Sequence, residues 1–481
     1  MSVERQTSTK DSNQKTFKRA IYKNLIILSL PIAIYLLFQH LTTSIDFAII
    51  GDSQKTTNVD STITYMKQIK KILQSIAIAL GGAGVVLVAR EYKKQNKEKS
   101  RQYATLAFLL AVTISLAFLA FLGLGVFLPK PLGDLFLKSD YHADGGLLYY
   151  QLSLITFVFI TINSVFIALE RAKNKTKFIL ILNIFLITLR VVLSFIYKFV
   201  KEKGQVTVID LALADLLSNL FITCIAFFCM FNPKNPFQLQ FKKITFPKDV
   251  VKGMLKLIGT LIIGKVTYEI GKKIILDMTT NYYKDIVAIS GLVAVVNGIC
   301  YSISQSFEDS QSAMVSQSVA FESNQKTFKI FKNVFVITFI IGLFGFLINE
   351  YFGVEILSFV KQKNYTPQTH KEMLENFKII LRYEGTSLFT SVWASMMMGY
   401  ILSYKKNANL IFWMNLLRVV LRISILFVLH NIFSSTSSTI TPAHQFGLST
   451  LGSNATVLIV TTVIFISFLS KNKAKNRQQQ K

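Results

Sequence analysis

Runs of about twenty apolar residues recur along the whole of this 481-residue chain. That recurrence restricts the fold more than any motif. A helix of that length crosses the ~30 Å hydrocarbon layer of a bilayer. Hydrophobic residues make up 51% of the chain and charged residues 16%, with a mean hydropathy of +0.44. A soluble protein of this size needs more surface charge than that. The runs fall near 25–50, 67–90, 102–128, 147–170, 177–198, 206–231, 251–278, 285–320, 328–350, 373–403, 408–430 and 447–470, so the spacing predicts twelve transmembrane helices.

The formal net charge of +27 would point to nucleic acid in a soluble chain. Here the basic residues follow the loops. Segments 1–24, 90–101, 171–177, 232–256, 322–332, 405–406 and 471–481 alternate with the outer loops and hold most of the 53 lysines and arginines. Such an excess marks the cytoplasmic side. Both termini are therefore expected in the cytoplasm, with no nucleic-acid partner. Residues 1–24 read as a basic cytoplasmic tail rather than a signal peptide. An N-terminal six-helix lobe follows over 25–231, then a linker over 232–250, a C-terminal six-helix lobe over 251–470 and a basic tail over 471–481. The abundance of Lys, Asn and Ile reads as an AT-rich bacterial genome, hence a bacterial plasma membrane. Cys224, Cys229 and Cys300 lie in apolar runs and form neither a disulfide framework nor a zinc motif. The sequence shows no nucleotide-binding loop, metal-ligand cluster or nucleophile constellation. Its reading is a non-enzymatic, metal-free and monomeric chain whose partners are a small-molecule substrate and the bilayer.

The halves repeat. In the fifth span Asn183 precedes Arg190 by seven residues, and in the eleventh Asn415 precedes Arg422 by seven. Seven residues are two helical turns, so each pair shares a face. In the sixth span LADLLSN ends at Asn219, and in the twelfth LSTLGSN ends at Asn454. Six spans per half make these parallel repeats, and substrate sites of such transporters lie between the halves.

A charge at bilayer depth costs a few kcal/mol and is a site by default. Asp46 sits inside the first span, behind Pro31. With Asp215 at similar depth it could form a proton site, or either acid could pair with Arg190. The N-terminal lobe reads as mostly acidic, with Asp46, Asp210 and Asp215 against Arg190. Glu269 has Lys265, Lys272 and Lys273 on its own face, which suits a self-neutralised stripe as well as a cation site. Arg418 and Arg422, one turn apart with Asn415, could bind an anionic group or pair with Glu308, Asp309 or Glu384. His40 could report pH, and the Met396 to Met398 run with Trp393 could line a pocket or simply pack.

QHLTTSIDFAIIG at Gln39 to Gly51 resembles the first-helix signature of the multidrug and toxic compound extrusion (MATE) transporters. IALGGAGVVLVAREYKKQNKEKS at Ile78 to Ser100 is similar to their second helix and basic loop. AMVSQSVAFESNQKTFK at Ala313 to Lys329 resembles the same element in the second half. The resemblance implies an all-α membrane fold: a V-shaped pair of six-helix bundles working by alternating access. It implies proton- or sodium-coupled efflux of small organic cations, with no other cofactor. Asp46, Asp215 and Glu269 are the expected coupling carboxylates. Asn183, Arg190, Asn219, Glu384, Asn415, Arg418 and Arg422 are the expected substrate-cavity residues. Two departures stand out: Arg190 replaces an acid common at that point of the fifth helix, and Val392 stands where some members carry an acid in the tenth. The wider superfamily includes flippases, so an exporter of an anionic lipid or lipid-linked precursor is the alternative.

Overall fold

The computed structural model describes residues 22–31, 33–34, 37, 45, 57–125, 145–173, 175–200, 206–239, 246–319, 324–360, 367–405, 408–433 and 440–479. Helix α1 is described over residues 22–31. In chain order follow α2 (Thr57–Lys93), α3 (Lys97–Gly125), α4 (Gly146–Ala172), α5 (Thr176–Val200), α6 (Val208–Phe231) and α7 (Lys248–Tyr282). Then come α8 (Lys284–Val319), α9 (Asn324–Val360), α10 (Pro367–Lys405), α11 (Asn409–Phe433) and α12 (Pro442–Gln479). Among the described residues there is no strand. Lipid cannot satisfy an open backbone, and helices satisfy their own.

Among the described residues eight helices are long and apolar enough to cross a membrane: α2 to α6, α9, α11 and α12. Helix α8 makes a ninth when Ile286–Gly298 and Tyr301–Val319, bent by 54°, count as one span. The chain is a multi-pass membrane protein. Helices α7 and α10 carry too much charge to pass on apolarity alone, and neighbouring helices cover them. The apolar window of α2 is 78% buried against 28% for α3. Helix α2 is thus a central strut, while α3 shows side chains such as Phe121 and Leu124 to lipid.

In the first half α2 packs on α3 and α4, α4 on α6, and α5 on α6. In the second half α8 packs on α9 and α10, α10 on α12, and α11 on α12. The two sets are one pattern shifted by six helices, as a parallel repeat requires. Helix α7 lies along α11. Gly264 makes the approach possible: a Cβ there would stand 3.1 Å from the Phe412 backbone. The halves meet where α2 touches α7 and α8. Near one end of α2, Thr64 abuts Gly291. Toward the other, Val85 and Ala168 cluster with Ala313 of α8. Leu25 and Leu28 of α1 also join a second-half cluster that contains Val315 and Ile330.

Several helix ends differ from the sequence reading. Helix α7 begins at Lys248, inside the stretch read as linker. Helix α12 runs to Gln479 through most of the stretch read as a tail. Lys, Ala, Gln and Arg are good helix formers, so the span simply continues. Asp210 is not an intramembrane charge. It closes a capping box at the start of α6, its Oδ2 accepting from Thr207 N at 2.7 Å and Thr207 Oγ1 at 2.8 Å. Beyond α4, Lys173 pairs with Glu170 and donates to Asn235 Oδ1 at 3.0 Å. Burial pulls the Lys173 ammonium below its ordinary pKa, and Glu170 opposes that shift.

Candidate functional site

Three groups of polar side chains occupy the interior. The first belongs to the N-terminal lobe. Asp215 of α6 accepts from Arg190 Nε of α5 at 3.1 Å and from the Lys70 ammonium of α2. Arg190 is 6% exposed. Among the described residues two cations meet on this one carboxylate. One turn along α6, Asn219 donates from Nδ2 to the Asp215 carbonyl at 2.8 Å. Its own carbonyl accepts from Asn163 Nδ2 of α4 at 3.0 Å, and Thr223 Oγ1 donates to Asn163 Oδ1 at 3.0 Å. Asn183 is buried on α5, and its Oδ1 has no partner. Asp46 and His40 lie outside the described residues.

The second group bridges the halves. Gln68 Nε2 of α2 donates to Glu269 of α7 at both its backbone oxygen (3.0 Å) and its carboxylate Oε2 (3.1 Å). The same Oε2 pairs with Lys272 Nζ at 2.7 Å. Lys273 turns away to Asp277 at 2.9 Å and lies over the Tyr65 ring of α2 at 5.2 Å. Glu269 is therefore held by its own helix and by the opposite lobe.

The third group lies between α7, α11 and α12. Tyr268, Lys272, Arg418, Arg422, Ser453 and Asn454 are among the residues lining a small cavity with room for about one water-sized occupant, some 10 Å³ for its centre. Arg422 reaches Glu384 of α10 only at 3.6 Å and lies 5.1 Å over the Phe446 ring. Arg418 is 5% exposed, and its Nε and Nη2 have no hydrogen-bond partner. Its guanidinium lies 5.2 Å from the Tyr268 ring centre, a cation–π contact that partly offsets its burial. Asn415 donates to the Gly264 carbonyl at 3.0 Å, which fastens α11 to α7. Glu308 faces Gly399 of α10, and the Asp309 side chain is outside the described set.

The repeat explains why the first and third groups differ. Aligning LADLLSN with LSTLGSN sets Asp215 against Thr450, and aligning the fifth and eleventh helices sets Leu186 against Arg418. The second half thus loses an acid and gains a base at matching places.

Sequence reasoning missed Lys70 and Gln68. KQIKK at 67–71 stands at the edge of an apolar run and reads as loop charge. The available signal was that Tyr65, Ile69, Leu73 and Ile76 keep helical spacing straight through it, and all four are buried.

The MatE family model matches residues 25–196. No curated protein matches the chain by sequence. Solved structures match it over most of its length. One is an outward-facing multidrug resistance MATE family transporter of the MOP superfamily, 13% identical, with a TM-score of 0.79 over 94% of this chain and 97% of that one. Another is a MOP superfamily transporter from Pyrococcus furiosus whose description states that reverse polarity of its binding pocket suggests a different function. It is 14% identical, with a TM-score of 0.81 over 94% and 97%. A third is a MATE structure in the straight conformation, 14% identical, with a TM-score of 0.78 over 94% and 97%. The family model covers the first two of the three stretches that carry the resemblance, and the fold is that of solved MATE transporters, with twelve helices in two six-helix bundles.

Proposed function

We propose that this chain is a secondary transporter of the MATE type that moves a substrate bearing an anionic group, the two lobes alternating access to the cleft between them. One observation carries the substrate reading. Among the described residues Asp215, Glu269, Asp277 and Glu384 each pair with a basic side chain, whereas the buried Arg418 has no carboxylate within ion-pair distance. An organic cation entering this interior would meet neutralised acids and surplus positive charge. An anionic headgroup or acid would meet attraction. The reverse polarity reported for the Pyrococcus furiosus neighbour supports the same reading. It departs from the organic-cation export implied by the sequence resemblance and comes nearer to the anionic-lipid alternative.

With Asp215 and Glu269 occupied by internal cations, Asp46 is the carboxylate we assign to a coupling proton or sodium ion. Such an ion drives transport only by binding the two access states unequally. Opening the cleft on the Gln68 side separates α2 from α7 and breaks the Gln68–Glu269 bonds. Thr64 then leaves Gly291.

The test is transport by the purified protein in liposomes, with an anionic and a cationic fluorescent dye, under separately imposed proton and sodium gradients. The reading expects gradient-driven movement of the anionic dye and loss of the drive in Asp46→Asn. Movement of the cationic dye alone, unaffected by Arg418→Ala, overturns it.

A further inference from the structure

We infer that the cavity between α7, α11 and α12 is a binding site for one monatomic anion, chloride being the physiological candidate. Charge comes first. Three cations line the cavity: Lys272, Arg418 and Arg422. Two carboxylates answer them, Glu269 on Lys272 and Glu384 on Arg422. Among the described ion pairs of the cavity lining, one positive charge remains, on a guanidinium that is 5% exposed. An uncompensated buried charge is strongly unfavourable, and a water molecule in the cavity supplies hydrogen-bond acceptors but no countercharge.

Donors come second. Arg418 Nε, Arg418 Nη2 and Arg422 Nε are buried N–H groups without acceptors. Buried donors are normally satisfied, so three orphans on two residues of one cavity wall define a missing acceptor. Asn454 fits the same account. Its Nδ2 donates to Ser387 Oγ while its Oδ1 is buried and unpartnered. With the amide turned over, Ser387 donates to Oδ1 and the amide N–H groups become available to the cavity.

Size decides the class. With space for about one water-sized centre, the cavity takes a halide only as its sole occupant and with small shifts of the lining side chains. It excludes phosphate, sulfate or a lipid headgroup. The site lies inside the second bundle, and it takes up the same Arg418 charge on which the anionic-substrate reading rests.

The experiment follows thermal unfolding of the purified full chain in detergent, with sodium chloride or bromide replacing sodium gluconate at constant ionic strength. The inference expects a saturable rise in the unfolding midpoint with either halide. It expects that rise to vanish in Arg418→Met, which removes the charge. It should also vanish in Ser453→Val, which fills the cavity and leaves every charge in place. No halide response in the wild-type chain overturns the inference, as does a response that persists in both variants. A halide response without anionic dye transport keeps this site and removes the anionic-substrate reading, so the two fail separately.

Discussion

The two bundles share one helix-packing pattern but treat buried charge in opposite ways. In the first, Arg190 and Lys70 converge on Asp215, and the centre is closed by ion pairs. In the second, Arg422 has a long 3.6 Å contact, and among the described residues Arg418 has no carboxylate partner. Two residues account for the contrast. Thr450, buried on α12, stands where α6 has Asp215, and Arg418 stands where α5 has Leu186. A duplicated scaffold need not duplicate its electrostatics. One half can be fixed internally while the other is left to be completed by something that binds.

The contrast can be broken from the closed side. Asp215→Asn removes the carboxylate that Arg190 and Lys70 share, and removing one partner of a buried pair costs about 3–5 kcal/mol. Unfolding of the variant in detergent should show a loss of that size. Adding Lys70→Met and Arg190→Leu should recover part of it, because apolar replacement of the whole centre strands no charge. A single variant as stable as the parent would mean the centre is not closed by these pairs.

The packing that holds the open side in shape is the next target. Gly264→Val places a side chain where a Cβ would already lie 3.1 Å from the Phe412 backbone. Overpacking of this kind costs about 1–3 kcal/mol. Because α11 carries both arginines, the variant should lose the halide response together with stability. A full halide response in this variant would separate the cavity from the α7–α11 contact.

The bridge between the bundles gives a smaller effect. Gln68→Leu removes two hydrogen bonds to Glu269, worth about 0.5–1.5 kcal/mol for the backbone one and more for the one to the carboxylate. The expected result is a shift of several-fold toward the state open on that side, read by spin-label distances between α2 and α7. Unchanged distance distributions would show that these bonds do not bias access. Smallest of all is Arg382→Ala. Arg382 pairs with Glu350, but its side chain is 71% exposed, so the change should stay within about 1 kcal/mol and leave the halide response intact.

Much of this architecture is legible in the residues. Apolar run length and the alternation of basic loops point to twelve spans, and the Asn183–Arg190 and Asn415–Arg422 pairs expose the repeat. The charge partners are not legible. Lys272 rather than Lys273 takes Glu269, although both lie within helical reach of it. The choice depends on Tyr65 and Gln68 of the opposite lobe, about two hundred residues away. Asp210 shows the reverse failure: an acid three residues after a threonine at a span edge is a cap signal, and counting it as an intramembrane charge made the first lobe look acidic. Lys70 adds to this: it lies at the start of the second run, 67–90, yet does not enter the charges weighed for the first lobe.

The central claim is that the missing acid on α12 makes the interior select for negative charge. The most direct test is the ratio of anionic to cationic dye flux in liposomes, compared between the wild-type chain and Thr450→Asp, which gives the second bundle the acid of the first. The account predicts a wild-type ratio above one that falls at least about tenfold in the variant, since one paired charge at such a site is worth more than the ~1.4 kcal/mol that a factor of ten represents. A wild-type ratio below one, unchanged by the substitution, would contradict it.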